Sequence, residues 1–204
     1  MSGLDEPLRI GPLRKVDWEP EMREFVDGFR SSVASAGPEE GRQAGDNLLG
    51  TLARYPDLAT SFLTFNRHLL GGSALTVRHR ELLVLRVAHV RDADYEWAQH
   101  VILAERAGVT PDEIARVREG GGAVGWGDTE AALLASVDQI LDVGKIDDAT
   151  WGVLSKDFDD RGLMDIIFTV GCYAMLAAFL RSLGIQAEPG LAPFLPFRAG
   201  EQSA

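Results

Sequence analysis

Apolar residues recur along most of this chain at intervals of three and four, which is the period of an amphipathic helix. An early example begins at Glu21, and its apolar positions are Met22, Phe25, Val26, Phe29 and Val33. No segment shows the strict two-residue alternation that marks a half-buried strand. The sequence therefore predicts an all-α protein, a single-domain bundle of about eight helices.

Glycine, proline and capping residues divide this pattern into separate helices. We expect helices near residues 21–36, 47–55, 58–70, 78–90, 94–107, 128–141, 148–158 and 162–183, and a short helix that opens at Pro111 and ends before Gly120. A side-chain oxygen at a helix start can accept a hydrogen bond from a free backbone N–H group. The candidates for this role are Thr76, Thr110, Asp128, and Asp147 or Asp148. The helix near 47–55 is expected to stop before Pro56.

The helices near 78–90 and 94–107 are expected to form a central antiparallel hairpin, because only residues 91–93 separate them. Glu81 shares its helix face with apolar positions, and so does His100. Glu81 precedes the corner by about ten residues and His100 follows it by about seven, which places both at similar heights. Glu96 lies one turn before His100 and is within reach of its imidazole. A carboxylate and an imidazole are predicted to meet inside the hairpin.

Three ionisable groups in apolar surroundings favour a proton-handling site, since burial and pairing both change pKa values. A structural interpretation also remains open, in which a buried Glu–His pair only satisfies hydrogen bonds between packed helices. Tyr95 and Trp97 either wall a pocket beside Glu96 or pack within the hairpin. The arginines of this region either attract an anionic substrate or form ion pairs; they are Arg78, Arg80, Arg86 and Arg91.

Length and composition indicate one domain, because 204 residues with 46% hydrophobic content can bury one substantial core. We expect an N-terminal arm at 1–20, a helical domain at 21–187 and a proline-containing tail at 188–204. A net charge of -11 opposes binding to nucleic acid or to an anionic membrane. The N-terminus has no secretory pattern, so a cytoplasmic location is expected. The apolar run at 166–180 is too short to cross a bilayer and is expected to be a buried helix.

Cysteine and histidine usage narrows the chemistry further. Cys172 is the single cysteine, which excludes an internal disulfide and a CxxC pair, and we expect it to be a buried core residue. The other histidines are not spaced as a helical metal pair, and we interpret them as surface or helix-packing residues: His68, His79 and His89. Glu81, Glu96 and His100 imitate a metal site, but no second E-x-x-H motif accompanies them. We expect no metal and no other cofactor.

Three segments resemble the carboxymuconolactone decarboxylase family, which includes the alkylhydroperoxidase D-like proteins. They are NLLGTLARYPDLATSFLTFNRHLL, LTVRHRELLVLRVAHVRDADYEWAQHVILAERAGVTPDEI and VGCYAMLAAFLRSLGI, within about 47–185. In the alkylhydroperoxidase branch a C-x-x-C motif precedes a histidine by four residues, and a glutamate on the preceding helix completes a proton relay. Here His100 and Glu81 match the relay, while Ala93 and Glu96 stand at the cysteine positions. The resemblance implies an alkylhydroperoxidase D-like bundle.

The same resemblance implies a homo-oligomer, usually a trimer or hexamer, that acts on a small carboxylated or carbonyl-containing molecule without a cofactor. Without the two cysteines a thiol peroxidase cycle is impossible, because it needs a thiolate and a resolving thiol. Decarboxylation is the first expectation. His100 would be the general base or acid, Glu81 would orient it or pass its proton onward, and Glu96 would be a second acid–base group. Isomerisation, dehydration or ring opening would use the same groups, and a non-catalytic ligand-binding oligomer is the alternative.

Overall fold

The computed structural model describes residues 7–33 and 45–196, and this part of the chain is helical with no strand. Its α-helices are α1 Pro20–Val33, α2 Asp46–Leu52, α3 Pro56–Arg67, α4 Val77–Val90, α5 Asp94–Arg106, α6 Pro111–Val117, α7 Asp128–Val143, α8 Asp148–Asp157 and α9 Asp160–Leu183. A single π-helical turn, His68–Gly72, extends α3. The all-α prediction is confirmed, with nine helices in the described residues. The expected continuation of α1 through 34–36 lies outside them.

Three of the four predicted capping positions are confirmed. Thr76 accepts a hydrogen bond from the backbone N–H of His79 at 3.1 Å. Thr110 and Glu113 form a reciprocal capping box at the start of α6. Asp147 accepts from the N–H of Thr150 at 2.7 Å and caps α8.

Two expectations about helix boundaries are wrong. Asp128 does not cap α7, because Gly127 occupies the N-cap and Asp128 is the first helical residue. Its carboxylate still lies at the positive end of the helix dipole, which explains the preference for an acid there. The second helix ends at Leu52 rather than near Tyr55, and Pro56 opens α3 instead of only terminating α2. Proline suits the first helical position because it lacks the N–H that would be unpaired there.

Helix α4 lies at the centre of the bundle, where it packs against α5, α6, α7 and α9. Consecutive residues of α4 are fully buried from Leu82 to Leu85, so the helix has no solvent face in its middle. A helix that is covered on all sides places any ionisable side chain it carries in the protein interior. This position, rather than local sequence alone, buries Glu81.

Helix α9 is long and apolar enough by composition to cross a membrane, but 56% of its apolar window is buried in the bundle. Its buried face includes Ile166, Val170, Tyr173 and Ala177. The expectation of a core helix in place of a membrane span agrees with this packing. The helix begins at Asp160, slightly earlier than expected, and Asp159 caps it through a hydrogen bond from the N–H of Gly162.

Candidate active site

The two helices of the hairpin bring Glu81 and His100 into direct contact. Oε2 of Glu81 lies 2.6 Å from Nδ1 of His100, and neither side chain is exposed to solvent beyond 9%. The meeting expected from their spacing is therefore observed. The short corner at 91–93 fixes the register of α4 and α5, which sets both side chains at the same height.

Arg80 binds the second oxygen of the Glu81 carboxylate, the one that His100 does not contact. Its Nε and Nη2 atoms lie 2.9 and 2.8 Å from Oε1 of Glu81, and Nη1 donates to the carbonyl oxygen of Leu70 at 2.6 Å. Burial, the largest influence, would raise the pKa of Glu81, but His100 and Arg80 together outweigh it and lower that pKa. Glu81 is thus ionised and can only accept hydrogen bonds.

An ionised Glu81 determines which nitrogen of His100 carries a proton in the pair. Nδ1 must donate to Oε2, because a carboxylate has no hydrogen to give. Nε2 forms no hydrogen bond within the described part of the chain and is the nitrogen left for chemistry. This is the arrangement in which a carboxylate orients an imidazole as a general base.

The contacts of Glu96 differ from those predicted from the sequence. We expected it to reach His100, but both of its carboxyl oxygens are buried without a hydrogen-bond partner in the described residues. Burial raises the pKa of Glu96 well above its ordinary value of 4.5. The side chain is therefore a neutral carboxylic acid with one O–H donor and one C=O acceptor unused.

Glu96 and His100 line a common cavity of about 180 Å³ between α2, α3, α5 and α9. Its walls are mainly apolar, with contributions from Leu48, Leu49, Phe62, Leu63, Leu70 and Leu103. No lysine or arginine is among the described residues that line it. The cavity therefore presents a neutral acid and an oriented imidazole in an environment of low polarity.

Tyr95 and Trp97, both expected beside Glu96, have different positions. Tyr95 lines the cavity and donates its hydroxyl to Oε1 of Glu188 at 3.0 Å. Trp97 does not line this cavity; it packs with the guanidinium of Arg118 4.8 Å above its ring and with His89 at its edge. The expectation that Trp97 walls the pocket beside Glu96 is wrong, because positions two apart on a helix point in nearly opposite directions.

Three polar residues of the cavity were not found from the sequence: Asn66, Gln99 and Tyr173. The ring of Tyr173 stands edge-on to His100 at 5.0 Å, and burial raises the pKa of its hydroxyl, which remains protonated. Asn66 also lines the cavity and points its amide towards Cys172 at 3.9 Å. A tyrosine inside an apolar helix and a buried asparagine are the signals that were available, since both need polar partners.

Cys172 lies in the core behind this cavity and is not one of its lining residues. Burial raises the pKa of its thiol to about 11. A thiol that stays protonated is a poor nucleophile. The expectation of a buried core cysteine agrees with this position.

The remaining candidate histidines and arginines do not line the cavity and instead contact other side chains or backbone. His68 pairs with Asp165 at 2.9 Å, and His79 packs edge-on to Phe158. Among the described residues, no group of three or more histidine, cysteine or acidic side chains is arranged to hold a metal ion. Of the four candidate arginines, the three other than Arg80 have partners elsewhere. Arg78 binds Glu113 and Glu130, Arg86 binds Asp138, and Arg91 donates to the carbonyl of Leu141.

Comparisons with solved structures show the fold. The alkylhydroperoxidase AhpD core of a peroxidase-related protein from Ralstonia eutropha JMP134 has a TM-score of 0.74 at 16% identity, covering 91% of this chain and 95% of that one. A Cys→Ala variant of the debrominase Bmp8, in complex with 2,3,4-tribromopyrrole, has a TM-score of 0.73 at 16% identity, covering 93% and 97%. A putative antioxidant defence protein AhpD from Agrobacterium tumefaciens has a TM-score of 0.62 at 17% identity, covering 67% and 94%.

Sequence comparison is more specific about the family. No curated protein shows a significant match to the chain. The model of the carboxymuconolactone decarboxylase family matches residues 56–139, the segment that runs from α3 through the hairpin into α7 and contains Glu81, Glu96 and His100. Residues 56–139 of this chain are thus similar to the carboxymuconolactone decarboxylase family, and the described residues have the alkylhydroperoxidase D-like fold.

Proposed function

We propose that this protein is a cytoplasmic, cofactor-independent acid–base enzyme that acts on a small carbonyl-containing or carboxylated molecule, with decarboxylation as the first reaction to test. The observation that carries the proposal is the contrast between two buried carboxyl groups near one imidazole: Glu81 binds Arg80 and His100, whereas Glu96 has no hydrogen-bond partner in the described residues. Glu96 is a neutral acid, while Glu81 is ionised and bound to His100. Environments that push the pKa values of neighbouring groups apart are typical of acid–base catalysis.

Each residue has a distinct role in this proposal. His100 acts through Nε2 as the general base, and Glu81 is a positioning residue that fixes its tautomer and stabilises the imidazolium. Arg80 keeps Glu81 ionised. Glu96 delivers its proton to the carbon or oxygen on which charge develops, and Tyr173, which also lines the cavity, is a second neutral donor.

For decarboxylation, the bond between the substrate α-carbon and its carboxylate breaks, carbon dioxide leaves, and the electron pair passes into an enolate. The proton of Glu96 then forms the new C–H bond. Nε2 of His100 takes a proton from water and returns it to Glu96, and the hydroxide that remains combines with carbon dioxide as bicarbonate. An apolar cavity without lysine or arginine favours this step, because it destabilises a localised carboxylate more than a dispersed enolate charge. Isomerisation and dehydration would use the same donor and base without loss of carbon dioxide.

Of two other activities, one is set aside and the other is the second candidate. A thiol peroxidase cycle is not proposed, since Cys172 is the single cysteine and the pKa of its thiol is raised to about 11. A non-catalytic ligand-binding role is the second candidate, and the cavity alone would support it. The solved complex of the debrominase Bmp8 with a tribrominated pyrrole agrees with a small ring compound as ligand in this fold.

Turnover of a panel of β-keto acids, small lactones and hydroxyketones by three variants tests the proposal. His100→Gln and Glu96→Gln should each lower turnover by about 10²–10⁴-fold, the usual contribution of a general acid or base. His89→Ala, a histidine of the same hairpin outside the cavity, is the matched control and should remain active. Turnover at the wild-type rate in both site variants would contradict the catalytic role, as would a loss of activity that only follows a loss of folding.

We also propose that the protein forms a homo-oligomer, a trimer or hexamer, through α9. Met164, Phe168 and Met175 follow one another on one side of this helix and are each more than half exposed. Contiguous exposed apolar side chains of this kind mark interaction surfaces. Light scattering should give an oligomer for the wild type and a smaller species for Phe168→Glu. A monomeric wild type would contradict the proposal.

A further inference from the structure

The unused hydrogen-bonding groups of Glu96 carry information about the ligand. A neutral carboxyl group presents an O–H donor and a C=O acceptor side by side. Both oxygens lack a partner in the described residues, although the side chain lines the cavity. A buried polar group left unsatisfied is costly, so a site that retains one is suited to a ligand that pairs with it.

The chemical complement of a neutral carboxyl group is specific. It is an acceptor and a donor on neighbouring atoms, as in a lactam or an α-hydroxycarbonyl compound, which closes two hydrogen bonds with the acid at once. A carboxylate ion fits poorly, because it offers two acceptors and would place one of them against the C=O of Glu96. Rotation about the last side-chain torsion of glutamate is soft, so the carboxyl plane can turn towards a ligand at small cost.

The volume and the lining of the cavity restrict the size and polarity of the rest of the ligand. A cavity of about 150 Å³ is known to hold benzene, and the cavity beside Glu96 has about 180 Å³. One ring with few substituents therefore fills it. The walls supply leucine and phenylalanine side chains and no described lysine or arginine, which favours an apolar ring.

We propose that Glu96 recognises a single-ring carbonyl compound that carries an N–H or O–H group on the atom next to the carbonyl. This inference rests on the proposed function for the identity of the site and adds the class of group that binds there. Glu96 holds the ring by two hydrogen bonds, and the same acid is then positioned to give its proton to the carbonyl oxygen. His100 faces the ring from the neighbouring turn of α5.

Binding of two rings of equal size tests the proposal without any turnover. δ-Valerolactam offers an acceptor and an adjacent N–H donor, whereas δ-valerolactone offers acceptors alone. In an NMR titration the wild type should bind the lactam about tenfold or more tightly, because the lactone leaves the C=O of Glu96 unpaired. Equal binding of the two rings, or binding of neither, would overturn the proposal.

Two variants of Glu96 make the test specific. Glu96→Gln keeps a donor and an acceptor in the same positions, so it should retain the preference for the lactam. Glu96→Met removes both groups while keeping an unbranched side chain of similar size, so it should bind the two rings within about twofold of each other. A preference that survives in Glu96→Met, or disappears in Glu96→Gln, would overturn the assignment.

These binding results are separable from the turnover test. If the lactam preference follows Glu96 but His100→Gln retains full turnover, the recognition stands and the proposed acid–base function fails. If the two rings bind equally while both site variants lose turnover, the function stands and the ligand class is wrong.

Discussion

Replacing Glu96 with methionine should stabilise the protein. The substitution removes two buried oxygens that have no hydrogen-bond partner in the described residues and leaves an apolar side chain among apolar neighbours. An unsatisfied buried polar group costs about 1–3 kcal/mol. For a chain of this size, about 1 kcal/mol changes the melting temperature by about 2–4 °C, so Glu96→Met should melt about 2–12 °C above the wild type.

The size of this difference should depend on pH in a defined direction. Burial raises the pKa of Glu96 in the folded state above the ordinary 4.5 of the unfolded chain. Between these two pKa values the folded protein holds a proton that the unfolded chain releases, so wild-type stability falls as pH rises. The fall is about 1.4 kcal/mol per pH unit until the raised pKa is reached. Glu96→Met lacks this group, so its advantage should grow with pH.

Urea unfolding of both proteins across a pH series from about 5 to neutral measures the difference directly, because all other titrating groups are shared. Glu96→Gln is the matched control, since it removes the ionisation but keeps the polar atoms. A pH-independent difference between Glu96→Met and the wild type would refute the neutral, buried state of Glu96. A less stable methionine variant would refute the claim that its oxygens are unpaired.

Other substitutions test the surroundings of the site. Glu81→Gln should lower the free energy of unfolding by about 3–5 kcal/mol in urea titrations, because it leaves the buried guanidinium of Arg80 without its carboxylate; a loss below about 1 kcal/mol would contradict the ion pair. Cys172→Ala should leave turnover of the same substrate panel unchanged, and a loss without unfolding would show that the thiol takes part. Gly121→Ala should lower the melting temperature, because its Cβ would lie 2.3 Å from a backbone oxygen, whereas Gly122→Ala, with nothing within 4 Å, should melt like the wild type.

The sequence was most informative where the relevant geometry is local. Glu81 and His100 lie on two helices that a three-residue corner joins, so helical rise alone predicts their similar heights. Capping residues such as Thr110 act on their own helix, and three of the four predicted capping positions are confirmed for the same reason.

Residues whose positions differ from the prediction show which contacts a local sequence pattern does not determine. Glu96 is within one turn of His100, but Glu81, held ionised by Arg80, occupies Nδ1 of that imidazole. The sequence offers Tyr95 and Trp97 together as pocket residues, although a rotation of about 200° between positions two apart allows only one of them to face the cavity. That correction was available from helix geometry.

Other parts of the site come from distant helices. Asn66 on α3 and Tyr173 on α9 reach the cavity only because these helices pack beside the hairpin. A single sequence does not determine which helix faces meet, since the apolar pattern of α9 extends around the helix. The neutral state of Glu96 likewise depends on burial by several elements, which spacing does not reveal.

Infrared difference spectroscopy of the Glu96 carboxyl group tests the central claim most directly, because it needs no substrate. Spectra of the wild type and Glu96→Gln at neutral pH isolate the signal of this one side chain. We predict a band of a protonated carboxyl group that is present in the wild type and absent from the variant. A carboxylate band in its place would show that Glu96 is ionised, and the account of a neutral acid beside the ionised Glu81–His100 pair would be wrong.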